Sequence, residues 1–237
     1  MYKKVYICGD SFGCPDLGWN IDPWPILLQE KLGNLFEVIN LSISCSSNLL
    51  IRAQVDEAIN NCADYVLLFG TSSIRYEGKL EEEKTHKTLY DRFYRIGQDD
   101  TDSNTRDLAC YSIASIDDTC VFSNDSKRTI QEYQKKLFDL DLAIYTNKCN
   151  IESSLYKLKF KNIPFLFDQG GFENLNFNNV KTKNYFEEFN EYRSDINLWD
   201  IAFNTPMHNP KNHFHIDDPH THSYIAQYFC NKIQEKL

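Results

Sequence analysis

Apolar and polar positions along the first part of this chain fall into short blocks with changing period. Lys4 to Cys8 is an apolar, β-branched and aromatic run that fits a buried strand. Pro23-Trp24-Pro25 then opens a helix of the pattern Ile-Leu-Leu-x-x-Lys-Leu, which ends near Gly33. Proline suits a first helical turn and glycine the far end. Phe36 to Leu41 ("FEVINL") reads as a second strand. Asn48 to Asn60 carries Leu49, Leu50, Ile51, Val55 and Ile59 at helical spacing. Tyr65 to Phe69 ("YVLLF") is an unbroken apolar run that stops at Gly70, the pattern of a central strand buried on both faces. Strand–helix–strand–helix–strand predicts an α/β protein whose parallel sheet is covered by helices on both sides.

The rest of the chain is less regular. Gly78 to Lys87 is charged, and Gln98 to Asp107 is polar and acidic, as in a loop or insertion. A helical pattern returns from Thr129 to Leu158 and is expected as two segments meeting near Cys149-Asn150. Asn162 to Phe167 reads as the next strand, with Asp168-Gln169-Gly170-Gly171 as its turn. Gly171 to Pro210 gives no clear period. Asp218-Pro219 is a helix start, with Asp as N-cap and Pro at the first helical position, and the helix runs through Ile225, Ala226 and Phe229 to Ile233. No repeat or low-complexity tract interrupts the chain. Its 237 residues, 42% of them hydrophobic, suffice for one large domain over residues 1–237 with an irregular insertion around 78–126.

The net charge of −9 is spread along the chain, which argues against a general nucleic-acid binder and reads as solubility. The apolar run in "MYKKVYIC" is too short for a secretory leader. No stretch reaches the roughly 18 apolar residues of a membrane span. A cytoplasmic protein is expected. The eight cysteines are scattered with no C-x-x-C pair, as free thiols in a reducing compartment would be.

In an open parallel sheet, ligands bind beyond the carboxyl ends of the strands. Three such ends carry small polar residues: Gly9-Asp10-Ser11, Ser42 to Asn48, and Gly70 to Glu77. Five of the six histidines fall between His208 and His222, just before the last helix. A serine at a strand-to-helix turn acts as a nucleophile when a base stands within hydrogen-bond reach and N–H donors face the oxyanion. The late histidines are candidate bases, and the second and third turns are candidate donors.

"GDSF", the small-residue turns, and a histidine just before a C-terminal helix together resemble the SGNH/GDSL hydrolase family, over the first eighty residues and the last thirty. "NLSISCSSN" and "TSSIRYE" are similar to blocks of a divergent branch associated with phage and bacterial proteins, which read N-L-A-x-G-G-x-S-N and G-W-T-S-x-x-R-x-E. The resemblance implies a flavodoxin-like three-layer α/β/α fold. It also implies hydrolysis of an ester, such as an acetyl or acyl group on a carbohydrate or lipid, through an acyl-enzyme and without a cofactor. The partner implied is a small-molecule or glycan ester. By the same resemblance Ser11 is the nucleophile, and its own N–H is one oxyanion donor. The second donor falls on the Cys45 N–H, or on Ser44 one residue earlier, where the family has glycine. The third falls on the Ser72 hydroxyl, where the family has asparagine.

His222 matches the family's histidine at the start of the last helix, and counting back gives His215 as the base. Asn212 then stands three residues before it, in place of the family's aspartate. An asparagine holds an imidazole in one tautomer but does not stabilise the imidazolium as a carboxylate does. The rival pair is Asp217 with His220. It restores the aspartate but sets the base in the first turn of a helix, where the positive dipole end opposes an imidazolium.

Other readings stand beside these. Gly-Asp-Ser is also an ordinary turn, and Ser44 to Asn48 a turn with an N-cap. Arg75 and Glu77 read either as a solvent-facing ion pair or as a structural element near the site that ties down the third loop. His213, His215, His220 and His222, with Asp217 and Asp218, have the chemistry of metal ligands, which would make a metal-dependent hydrolase or a metal-binding module. The departures at Cys45, Ser72 and Asn212 fit an inactive member of the same scaffold that binds a ligand or partner. Phe172, Tyr185, Phe186 and Trp199 suit either the wall of an acyl or sugar pocket or the core.

Overall fold

The computed structural model describes residues 2–10, 12–13, 23–43, 46–72, 76–77, 110–111, 128, 131–133, 135–172, 185–204, 216 and 218–237. Strands β1 (Lys3–Cys8), β2 (Phe36–Asn40) and β3 (Tyr65–Phe69) lie in one parallel sheet. A short antiparallel pair, β4 (Tyr76–Glu77) and β5 (Cys110–Tyr111), stands apart from it. The sheet's fourth strand is β6 (Phe165–Asp168), and the order β2-β1-β3-β6 is the flavodoxin-like one.

Because side chains alternate along a strand, each strand feeds two cores. Val5, Ile7, Tyr65, Leu67 and Phe69 point to one face. There they meet Trp24 and Leu28 of α1 (Trp24–Leu32) and Phe229 and Ile233 of the last helix, α5 (Pro219–Lys236). Tyr6, Cys8, Val66 and Leu68 point to the other. There they meet Ile51 and Val55 of α2 (Asn48–Asn60) and Ile151 and Leu155 of α3 (Leu140–Phe160). The architecture is three layers, α/β/α, and every residue of β3 is buried, as a central strand requires.

Local chemistry explains the helix ends. α1 has proline in its first turn and ends at Gly33, whose φ of +69° lies in the left-handed region. Ser47 caps α2 by accepting from the Leu50 N–H at 3.3 Å. Asp218 caps α5 by accepting from the Thr221 N–H at 2.8 Å, with Pro219 in the first turn as expected.

Two expectations need correction. The helical stretch does not break at Cys149-Asn150; α3 runs straight through that pair. It starts at Leu140, where Asp139 accepts from the Leu142 N–H at 3.0 Å. Asn150 of that pair faces α2, where the Arg52 guanidinium donates to its Oδ1 at 3.3 Å, and three residues earlier Asn147 Oδ1 accepts from Asn48 Nδ2 at 3.2 Å. The fourth parallel strand starts at Phe165 rather than Asn162. Asn162 has a φ of +53° and turns the chain out of α3, and the Ile163 N–H still bonds the Leu158 carbonyl at 3.1 Å. The stretch without a clear period holds a 3₁₀ turn, Glu187–Tyr192, and a short helix α4, Leu198–Asn204. Gly78–Lys87 and Gln98–Asp107 lie outside the described residues. Among the described residues, no helix is long and apolar enough to cross a membrane. Cys8 and Cys230 are buried and Cys62 and Cys149 exposed, all as free thiols, and burial pushes the Cys8 thiol far up from its ordinary range.

Candidate functional site

The strand order places the carboxyl ends of β2, β1 and β3 next to one another, so the three suspected loops meet at one edge of the sheet. Hydrogen bonds lock them together. The turn after β1 is closed by the Gly13 N–H donating to the Asp10 carbonyl at 3.1 Å. Asp10 is 1% exposed, and its carboxylate accepts from the Phe12 N–H at 3.2 Å and from the Thr71 hydroxyl at 2.7 Å. It therefore braces its own turn and ties it to the loop after β3.

Gln54 of α2 grips Gly9 from both sides. It accepts from the Gly9 N–H at 2.6 Å and donates to the Gly9 carbonyl at 3.1 Å. The loop after β2 joins through the Ile43 N–H, which donates to the same carbonyl at 3.3 Å. Asn40 donates to the Gly13 carbonyl at 2.7 Å. The approach is close enough to demand glycine at position 13, since a Cβ there would lie 2.4 Å from Ser42 Oγ. The Ser42 hydroxyl is buried and has no hydrogen-bond partner among the described residues.

The third loop is held from two more directions. Asn48, at the first position of α2, accepts from the Thr71 N–H at 2.9 Å and donates to the Thr71 carbonyl at 3.0 Å. On the other side Gly70 meets Gly170 backbone to backbone. Gly170 has a φ of +61°, and a Cβ on it would lie 1.8 Å from the Gly70 carbonyl oxygen. The Asp168 carboxylate fixes that crossing by accepting from the Gly170 N–H at 3.0 Å and the Leu198 N–H at 2.9 Å.

The last helix reaches the same edge through His222. Its Nδ1 accepts from the Trp24 N–H at 3.1 Å, and its Nε2 meets the Ile216 carbonyl at 2.8 Å. The Trp24 indole N–H donates to the Phe12 carbonyl at 2.8 Å. The Phe12 ring stands 5.3 Å from that of Trp199.

These contacts place several of the expected residues. Ser72 is buried in the third loop, one residue from the Thr71–Asp10 tie. His220 is exposed in the first turn of α5. Thr221, by its hydroxyl and its N–H, holds the Asp218 carboxyl below the usual carboxylate range. His222, considered above as a metal ligand, has both ring nitrogens engaged with the protein, and no group of three or more metal-ligating side chains occurs among the described residues. Phe172 and Phe186 are core residues, while Tyr185 and Trp199 are partly buried against the core. Ser11, Ser44, Cys45, Arg75, Asn212, His213, His215 and Asp217 lie outside the described residues, and Glu77 forms part of β4.

The sequence reading missed Gln54, Thr71 and Asp168 as site supports. Gln54 did leave a signal, because it is a polar residue in the apolar stripe Leu50, Ile51, Val55 and Ala58 of α2. A polar side chain at a core position of a helix needs a buried partner.

No family model matches the chain, and no curated protein matches it. Solved structures do. One, described as a lipolytic protein of the G-D-S-L family from Desulfitobacterium hafniense DCB-2, is 13% identical with a TM-score of 0.34, covering 97% of this chain and 98% of its own. A second crystal structure is 13% identical with a TM-score of 0.39, covering 100% of this chain and 99% of its own.

Proposed function

We propose that the chain is a serine hydrolase of the GDSL type, an esterase or deacylase that cleaves an acetyl or acyl ester on a carbohydrate or lipid. The observation that carries the reading is the bracing of the turn from Asp10 to Gly13. It is closed on itself, follows Gly9, whose main chain Gln54 grips, and is tied to Asn40 at the end of β2 and to the loop after β3. Ser11 stands between Asp10 and Phe12 in the sequence. A nucleophile held on backbone that does not reorganise avoids that cost in the transition state.

In the proposed reaction His215 takes the proton from Ser11 as Ser11 Oγ attacks the ester carbonyl carbon. Asn212 orients the imidazole. The N–H groups of Ser11 and Cys45 and the Ser72 hydroxyl donate to the oxyanion. The C–O bond to the alcohol then breaks, and the alcohol leaves with the proton held by His215. A water attacks the acyl-serine, His215 takes its proton, and the acid departs as the proton returns to Ser11.

The test is intact mass after exposure to a small fluorophosphonate. One adduct on the wild type and none on Ser11→Ala is the expected result. Absence of an adduct on both refutes an activated serine and turns attention to ligand binding. His215→Ala is expected to lose far more esterase activity than His220→Ala; the opposite order would assign the base to His220 with Asp217.

A further inference from the structure

Trp24 is fully buried at the start of α1, with its ring against Phe69 and Phe229. The first N–H groups of a helix have no acceptor within it. Pro23, the residue before, offers no side-chain cap. The Trp24 N–H is instead accepted by His222 Nδ1, supplied from the far end of the chain. The carbonyl of Ile216 can only accept, so His222 Nε2 carries the proton and Nδ1 the lone pair. One neutral tautomer satisfies both contacts.

These bonds form a continuous path. It runs from the Phe12 carbonyl to the Trp24 indole, through the Trp24 N–H to the His222 ring, and on to the Ile216 carbonyl. Its two ends are the residues that follow Ser11 and His215 in the sequence.

We infer that Trp24 and His222 act as a positioning pair, setting how far the segment after Ser11 stands from the segment after His215. The inference rests on the hydrolase reading above. Neither residue supplies a proton or an oxyanion donor; both ends of the path grip main-chain carbonyls. Misplacing reacting groups by about 1 Å costs on the order of a hundredfold in rate. The pair's effect therefore falls on kcat and not on KM.

Three substitutions separate positioning from support. Trp24→Phe keeps the backbone N–H and most of the ring but removes the donor to Phe12. His222→Asn keeps an acceptor near Trp24 and loses the donor to Ile216. His222→Gln carries an amide N–H back toward that carbonyl. The full chain and its variants are exposed to the fluorophosphonate, and the rate of Ser11 adduct formation is read by intact mass. kcat and KM on p-nitrophenyl acetate and the thermal midpoint are measured alongside.

Trp24→Phe and His222→Asn are each expected to slow adduct formation and kcat by about tenfold or more, with KM within about twofold. His222→Gln is expected to recover most of the rate. The double variant should fall little below the worse single one, because each change cuts the same path. Wild-type rates in the single variants, or losses that multiply in the double, overturn the pair. So does a rate loss that follows the thermal midpoint with His222→Gln no better than His222→Asn. If Trp24→Phe does not fold, the comparison of His222→Asn with His222→Gln decides, since that ring is only partly buried. No adduct on wild-type Ser11 overturns the hydrolase reading itself, and the pair with it.

Discussion

Asn48→Asp replaces one atom of a buried side chain and sets two known effects against each other. Asn48 is the first residue of α2, where a carboxylate gains about 0.3–1 kcal/mol from the helix dipole. On an exposed helix the change would stabilise. Here the side chain is 1% exposed, and Nδ2 donates to the Thr71 carbonyl at 3.0 Å, to Asn147 Oδ1 at 3.2 Å and, at the longer distance of 3.4 Å, to the Ser72 carbonyl. Asn147 cannot turn its amide to compensate, because its own Nδ2 donates to the Ala143 carbonyl at 2.9 Å. A carboxylate would turn an anion on the two nearer acceptors, at a cost of about 1–3 kcal/mol for each buried bond lost. The bond from the Thr71 N–H would survive. The loss outweighs the dipole gain, and the net expectation is destabilisation by about 3 kcal/mol.

The same reasoning fixes the pH dependence of that loss. Burial against acceptors raises the introduced carboxyl above its unfolded value of about 3.9, by about two units for a loss of this size. The penalty is therefore fully present at neutral pH and shrinks as pH falls through about 6 toward 4, where the protonated carboxyl donates one bond back. Asn48→Ala, which adds no charge, should show a deficit that this titration does not change. Urea unfolding followed by far-UV circular dichroism at neutral pH and near pH 5 reads both quantities. A variant as stable as the wild type at neutral pH, or a deficit that does not change with pH, would refute the donor role given to Nδ2.

Three further outcomes test other parts of the fold. Gly170→Ala places a Cβ 1.8 Å from the Gly70 carbonyl oxygen at a φ of +61°, so the backbone of the third loop must shift; a loss of more than about 3 kcal/mol is expected in urea. Gly33→Ala, at φ +69° with nothing within 4 Å, should cost only the backbone strain of about 1–3 kcal/mol. The Asp218 carboxyl is held below its usual range by Thr221, so its contribution to stability is present above the unfolded value of about 3.9 and is lost as pH falls through the lower folded one. The gap in thermal midpoint between wild type and Asp218→Asn should therefore close on acidification below about pH 4, and a gap that stays constant would contradict the cap.

The parts of the fold legible in the sequence are those written by local chemistry. β3 announces itself as an apolar run stopped by glycine, and α5 by Asp-Pro, because strand burial and helix capping each act over a few residues. What misled was polarity whose partner lay far away. Cys149-Asn150 resembled a helix break until α2 supplied Arg52 to meet Asn150. The site divides in the same way. Its three loops were legible as small polar stretches at strand ends. The ties between them were not, since Asp10 with Thr71, Gly9 with Gln54, and Trp24 with His222 each join residues remote in sequence.

Those ties also say what the polar residues at this edge are for. Asp10 accepts from two donors, Gln54 bonds both main-chain groups of Gly9, Asp168 accepts from two main-chain N–H groups, and His222 uses both ring nitrogens. Groups committed in this way set backbone position. The proposed reaction assigns proton transfer and attack to other residues, Ser11 and His215, and oxyanion binding mainly to main-chain N–H groups. A main-chain donor survives a change of side chain as long as its loop is held. A cysteine at position 45, where the sequences it resembles carry glycine, has less conformational freedom than glycine but the same N–H. Ser72 keeps a hydroxyl donor of shorter reach than asparagine. On this view the ties among the three loops at this edge are what would let such departures keep the same donor set, and the proposed site depends more on the geometry of its backbone than on the identity of those two residues.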